Sequence, residues 1–246
     1  MKQKEIIING IKLSFYELGT GKSLLFLHGG RLRALTFKKT IDKLSKSYHV
    51  IAPDIPGYGD SSTPRELWTF QDYSNFFVSF IKQIKIKELI VVGYSLGGGI
   101  AYNMASVYEK VEKLVLIDSA GIEKTLGSQR KRDFDRLVFY ISHLQYFLSF
   151  FILIREWVLF IFKHLMNLNY IKSMRRNLNG SCSYLNNIKT PTSIIWAKND
   201  SIFPVVIAEK LHQSIKNSKI FIVDGNHDWV LYDENKFIDR LNTALK

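Results

Sequence analysis

Six short runs of branched and aromatic apolar residues, at positions 24–27, 48–52, 89–92, 114–117, 193–196 and 220–223, constrain the fold of this chain most. They are almost continuous Val, Ile and Leu rather than alternating, which suits strands buried on both faces, and most are separated by segments of helical periodicity. Helices are expected at 36–45, 70–84, 96–107, 205–214 and 235–245. Such helices supply the crossovers that parallel strands need. Ahead of this pattern, residues 5–8 and 11–18 flank Asn9-Gly10, a two-residue hairpin signal. The expected class is α/β, a mostly parallel sheet flanked by helices, and 246 residues suffice for one sizeable domain carrying an insertion.

The alternation stops between about Gly121 and Asn187. This stretch is rich in aromatic and aliphatic residues without a clear strand, so residues 121–187 read as an inserted helical cap, with 1–120 and 188–246 as the core. Within it, residues 137–154 run eighteen positions without Asp, Glu, Lys or Arg, close to the length of a membrane span. Ser142, His143, Gln145 and Ser149 interrupt the run, and too few apolar residues follow Glu156 for a return crossing.

The formal net charge of +12 suggests a polyanionic partner, but its distribution argues against nucleic acid. From Lys124 to Arg176 there are ten Lys or Arg against three acids, in the most hydrophobic part of the chain. Basic and greasy together fit peripheral contact with an anionic membrane better than a duplex. The single cysteine, Cys182, cannot form an intrachain disulfide and lacks metal-ligand spacing, and no secretory leader is visible after Met1; a cytoplasmic location is expected.

Chemistry is concentrated in Gly93-Tyr94-Ser95-Leu96-Gly97, which directly follows the apolar run ending at Val92. A strand turning sharply into a helix there exposes the Ser95 hydroxyl, and the flanking glycines avoid collision in a crowded turn. Serine needs a base, and the base an acid to hold its tautomer. Of six histidines, His227 alone sits in a turn just after the last strand, at the carboxyl edge where the Ser95 turn also emerges. Asp200, after the penultimate strand, is the favoured acid and Asp118 its competitor; Asp228 reads as a solvated or capping residue. The backbone N–H groups of Leu96 and Gly30 are the expected oxyanion donors, with His28 stabilising its loop.

These motifs resemble the α/β-hydrolase fold family: His28-Gly29-Gly30, the Asp54-to-Ser61 loop, Gly93 to Gly98, Trp196 to Asp200 with Pro204 beyond, and Gly225-Asn226-His227. The resemblance implies an eight-stranded sheet, a triad of Ser95, Asp200 and His227, a cap between the sixth and seventh strands, and neither cofactor nor metal. Tyr94 departs from a frequent His, Ala197 and Lys198 from Gly and Arg, and Arg31 from a proline-bearing loop. Serine at the elbow argues against the dehalogenase and epoxide hydrolase branches, which use aspartate.

The expected activity is a serine hydrolase acting on a carboxylic ester or lipid-like acyl substrate. A carbon–carbon bond hydrolase of the meta-cleavage type is the alternative, with Arg175 or Arg176 binding a substrate carboxylate, and a non-catalytic ligand-binding protein is a third reading. Tyr94, Arg175 and Arg176 are the candidate substrate-binding residues.

Overall fold

The computed structural model describes residues 1–122, 129–165 and 185–246. Its strands are β1 (Gln3–Ile8), β2 (Ile11–Leu18), β3 (Ser23–Leu27), β4 (His49–Pro53), β5 (Leu89–Tyr94), β6 (Val111–Ile117), β7 (Thr192–Ala197) and β8 (Ser218–Val223). The helices are α1 (Lys38–Leu44), α2 (Phe70–Gln83), α3 (Leu96–Val107), α4 (Gln129–Ser142), α5 (Phe147–Lys163), α6 (Val206–Ser214), α7 (Trp229–Tyr232) and α8 (Glu234–Leu245). All eight strands join one sheet in the order β1-β2-β4-β3-β5-β6-β7-β8. The hairpin closes with Ile8 opposite Ile11, and Asn9 and Gly10 both take positive φ, 50° and 79°. β2 runs antiparallel to β1 and β4, and the remaining pairs are parallel.

Strand alternation sorts the apolar runs onto two cores. Leu89 and Val91 of β5 pack with Phe77 of α2 and Ile100 of α3. Ile90 and Val92 face the other way, towards Ile41 of α1 and Leu241 of α8. Both faces are therefore covered, which is why no polar alternation is visible in the sequence. α2 starts at a capping box, in which Asp72 N–H donates to Thr69 Oγ1 and Thr69 N–H to the Asp72 carboxylate.

α4 and α5 lie between β6 and β7. The run 137–154 is not one helix: α4 ends at Ser142 and a 3-10 turn, Leu144–Tyr146, precedes α5. The polar interruptions make this break. Ser142 Oγ and the His143 ring bond the carbonyls of Val138 and Phe139, at 2.8 and 2.9 Å, satisfying the C-terminal turn that would otherwise continue the helix. Among the described residues no helix is long and apolar enough to cross a membrane. α5 docks through Phe160, stacked on Tyr58 at 5.5 Å between centroids, while Leu148, Phe151 and Phe162 are exposed.

Candidate active site

Ser95 stands between β5 and α3 with φ 52° and ψ −114°, outside the regions open to an L-residue without strain. Holding it there costs about 1–3 kcal/mol, which the surroundings must over-determine. They do so by hydrogen bonds: Ser95 N–H donates to Ile117, and the Ser95 carbonyl accepts from Ala120, Gly98 and Gly99 at 2.9, 3.0 and 3.2 Å. Close backbone approach explains the glycines. A Cβ on Gly97 would lie 2.2 Å from the Leu27 carbonyl oxygen, and one on Gly93 would lie 2.3 Å from that of Gly97.

The elbow aims Ser95 Oγ at His227, whose Nε2 lies 3.1 Å away. His227 Nδ1 lies 2.7 Å from Asp200 Oδ2, so the carboxylate fixes the tautomer with Nδ1 as donor and Nε2 as acceptor from the hydroxyl. Asp200 is itself oriented by the N–H groups of Ile202 and Phe203, which donate to Oδ1 at 2.7 and 2.9 Å. Burial alone would depress the His227 pKa, but the charge of Asp200 and its hydrogen bond outweigh burial and raise it. The three side chains thus form a relay in which a proton can leave Ser95 for an imidazole whose positive charge has a partner.

Asp118 ends up beside this relay with different work. Its Oδ1 accepts from Ala197 N–H and its Oδ2 from the Trp229 indole, both at 2.7 Å. Burial and the neighbouring Asp200 push its pKa well up. Ligand-type atoms of Asp118, Asp200 and His227 come within 4.8 Å of one another, a spacing that could hold a cation. Every carboxylate oxygen of the group already accepts a hydrogen bond, however.

Leu96 and Gly30 are neighbours, since a Cβ on Gly30 would lie 3.8 Å from that of Leu96. The two loops are tied by Gly97 N–H donating to the His28 carbonyl at 3.1 Å. Leu96 opens α3, where an N–H has no intrahelical acceptor. His28 holds its own loop: Nδ1 donates to the Gly29 carbonyl, Nε2 accepts from Ile55 N–H, and burial lowers its pKa to about 4, keeping it neutral.

Tyr94, read as substrate-binding, is 2% exposed and its hydroxyl donates to the His227 carbonyl at 2.8 Å. The structure places it against the His227 imidazole, 5.3 Å between ring centroids. Arg175, Arg176 and Cys182 lie outside the described residues. Asp228 corrects half of its sequence reading: it stands at the N-cap of α7, but its side chain makes no capping bond and is not solvated, being 1% exposed and paired with Arg136 of α4 through 2.8 and 2.5 Å bonds. No local pattern announces a pair 92 positions apart. Glu156 of α5, also missed, carried a usable signal: a lone acid in a helix this apolar demands cationic partners, and it has both Arg155 beside it and Arg33 from the loop after β3.

Residues 22–145 match the family model described as alpha/beta hydrolase fold. An uncharacterized hydrolase of Bacillus subtilis, YugF, is 24% identical over 251 residues, covering 89% of this chain and 88% of its own. Among solved structures, a membrane phospholipase A described as a bacterial virulence factor superposes with a TM-score of 0.82 at 21% identity, over 99% of this chain and 85% of that one. The meta-cleavage product hydrolase of Pseudomonas fluorescens IP01 gives a TM-score of 0.83 at 20% identity, over 98% and 97%.

Proposed function

Because this chain belongs to the alpha/beta hydrolase fold family, we propose that it is a serine hydrolase cleaving carboxylic esters or lipid-like acyl substrates through an acyl-Ser95 intermediate. The observation that carries the reading is the Asp200–His227–Ser95 relay, with spacings of 2.7 and 3.1 Å and a strained serine at its head. Ser95 Oγ attacks the carbonyl carbon as His227 Nε2 takes its proton. The oxyanion is held by the N–H groups of Leu96 and Gly30, and Asp200 stabilises the imidazolium. His227 then protonates the leaving alcohol, and the same imidazole draws a proton from the water that releases the acid.

Residues 121–187 serve as a lid in this reading, and the composition of α5 favours an acyl chain over a small polar substrate. Its exposed residues Leu148, Phe151 and Phe162 are suited to rest on an anionic lipid surface, and the excess of Lys and Arg in the sequence from Lys124 to Arg176 suits phosphates. The alternative, carbon–carbon bond hydrolysis of the meta-cleavage type, would instead call for a cation on the substrate carboxylate.

The test is labelling with a fluorophosphonate serine-hydrolase probe, alongside hydrolysis of nitrophenyl esters from acetate to long chains. Labelling of the wild type and its loss in Ser95→Ala are expected; an unlabelled wild type overturns the enzyme reading. A preference for acetate over octanoate overturns the lipid version alone.

A further inference from the structure

Charged side chains cross from the α4–α5 insertion to both loops that flank Ser95. On α4, Arg136 Nε and Nη2 donate to the two oxygens of Asp228, the residue next to His227. The same turn is gripped nearby. Tyr146 stacks on Tyr232 at 4.2 Å between centroids, and Ser149 Oγ donates to the Leu231 carbonyl at 3.3 Å. Tyr232 in turn accepts from Asn226 N–H, on the other side of His227, at 3.1 Å.

On α5, Glu156 is 2% exposed and accepts from Arg33 Nε at 2.9 Å. Arg33 stands three residues after Gly30, and the N–H of the following residue, Ala34, donates to Asp54 at 2.8 Å. At the end of α5, Lys163 Nζ donates to the carbonyls of Tyr58, Gly59 and Ser61. The Tyr58 hydroxyl lies 3.5 Å from where a Gly30 Cβ would be.

Buried ion pairs add little net stability compared with apolar packing of the same volume, so stability alone does not explain two of them here. A guanidinium–carboxylate hydrogen bond does fix direction, which apolar contact does not: Arg136 grips Asp228 bidentately, and Glu156 holds Arg33 through Oε2 while Arg155 of α5 bonds its Oε1. We propose that Arg136 and Glu156 are positioning residues: through Asp228 and Arg33, the seated insertion sets His227 and the Gly30 N–H relative to Ser95. Acylation at Ser95 is then competent only with the insertion in place. This rests on the acyl-serine reading above.

The experiment follows fluorophosphonate labelling of the full chain over time. Final amplitude reports the folded, competent fraction, and the rate constant reports alignment of Ser95 with its base and oxyanion donors. Arg136→Met and Glu156→Gln should slow labelling about 10- to 100-fold, the range expected of a misplaced catalytic group, with kcat of a short nitrophenyl ester falling and KM within twofold. Arg136→Lys should recover part of the rate. The double variant Arg136→Met/Asp228→Leu leaves no unpaired charge and keeps the protein folded if the single variant does not. It should reach full amplitude slowly. Full amplitude at the wild-type rate in that double variant, or in both single variants, overturns the proposal. No labelling of the wild type would instead overturn the acyl-serine reading on which it rests.

Discussion

The Tyr94 hydroxyl donates a 2.8 Å hydrogen bond to the backbone carbonyl of His227, so the residue before the nucleophile holds the residue that would deprotonate it. The tyrosine ring also lies against the imidazole, 5.3 Å between centroids at 31°. Loss of this bond leaves a buried carbonyl unsatisfied, which costs about 1–3 kcal/mol. Tyr94→Phe should therefore melt several degrees lower and lose kcat, with KM for a short ester unchanged. A change confined to KM would return Tyr94 to the substrate-contacting role read from sequence.

Asp200 and Asp118 allow the acid of the relay to be identified by substitution. Asp200→Asn breaks the acceptor that fixes the His227 tautomer, and kcat should fall by about 10⁴. Asp118→Asn places an amide N–H₂ against one of two N–H donors, from Ala197 or Trp229. Its cost should be mainly stability, about 1–3 kcal/mol, with kcat within tenfold. Steady-state kinetics on matched folded fractions, with chemical denaturation beside them, separates the two. The reverse ranking would make Asp118 the acid.

How far these features can be read from sequence depends on how local their causes are. The strand pattern was legible because burial of β5, β6 and β7 on both faces leaves uninterrupted apolar runs. The turns that carry Ser95 and His227 were legible because a strand-to-helix turn and a turn after the last strand each have their own signature of glycines and polar residues. Asp200 was favoured over Asp118, but Asp118 stayed a competitor because both follow strands at one sheet edge, and it is their hydrogen-bond partners that distinguish them. The capping position of Asp228 was legible but its burial and pairing were not, because its partner, Arg136, belongs to a distant helix whose docking no local pattern encodes. The helix break at Ser142 was half legible: the polar residues stood out, but not that they would bond the carbonyls of the preceding turn.

The raised pKa of His227 sets a pH dependence with a definite sign. As base, the imidazole must be neutral, so kcat/KM should rise with pH along a limb centred above the ordinary 6.5. Stability runs the other way. A group whose pKa is higher when folded stabilises fully below its unfolded value and loses that contribution as pH rises through the folded one. Denaturation midpoints should thus decline from pH 6.5 upward, to the extent His227 dominates. Asp200→Asn removes the first partner that counters burial, and should lower the limb and flatten the decline. A limb centred below 6.5 in the wild type would refute the assignment.

The outward face of α5 predicts a membrane affinity with separable parts. Leu148, Phe151 and Phe162 are 79%, 53% and 70% exposed, at the helical spacing that puts them on one stripe. Full burial of such a side chain is worth about 1.5–3 kcal/mol, so even partial insertion of three gives ~3 kcal/mol, a hundredfold in partitioning. Basic residues near an anionic surface add about 1 kcal/mol each, and this share is screened by salt. Co-sedimentation with vesicles containing anionic lipid should show binding at low salt that weakens at high salt. Replacing the three residues with serine should reduce it about a hundredfold while hydrolysis of a short soluble ester is kept. If wild-type binding is absent at low salt, or the triple variant binds equally well, the stripe does not meet lipid and the insertion acts on the site alone.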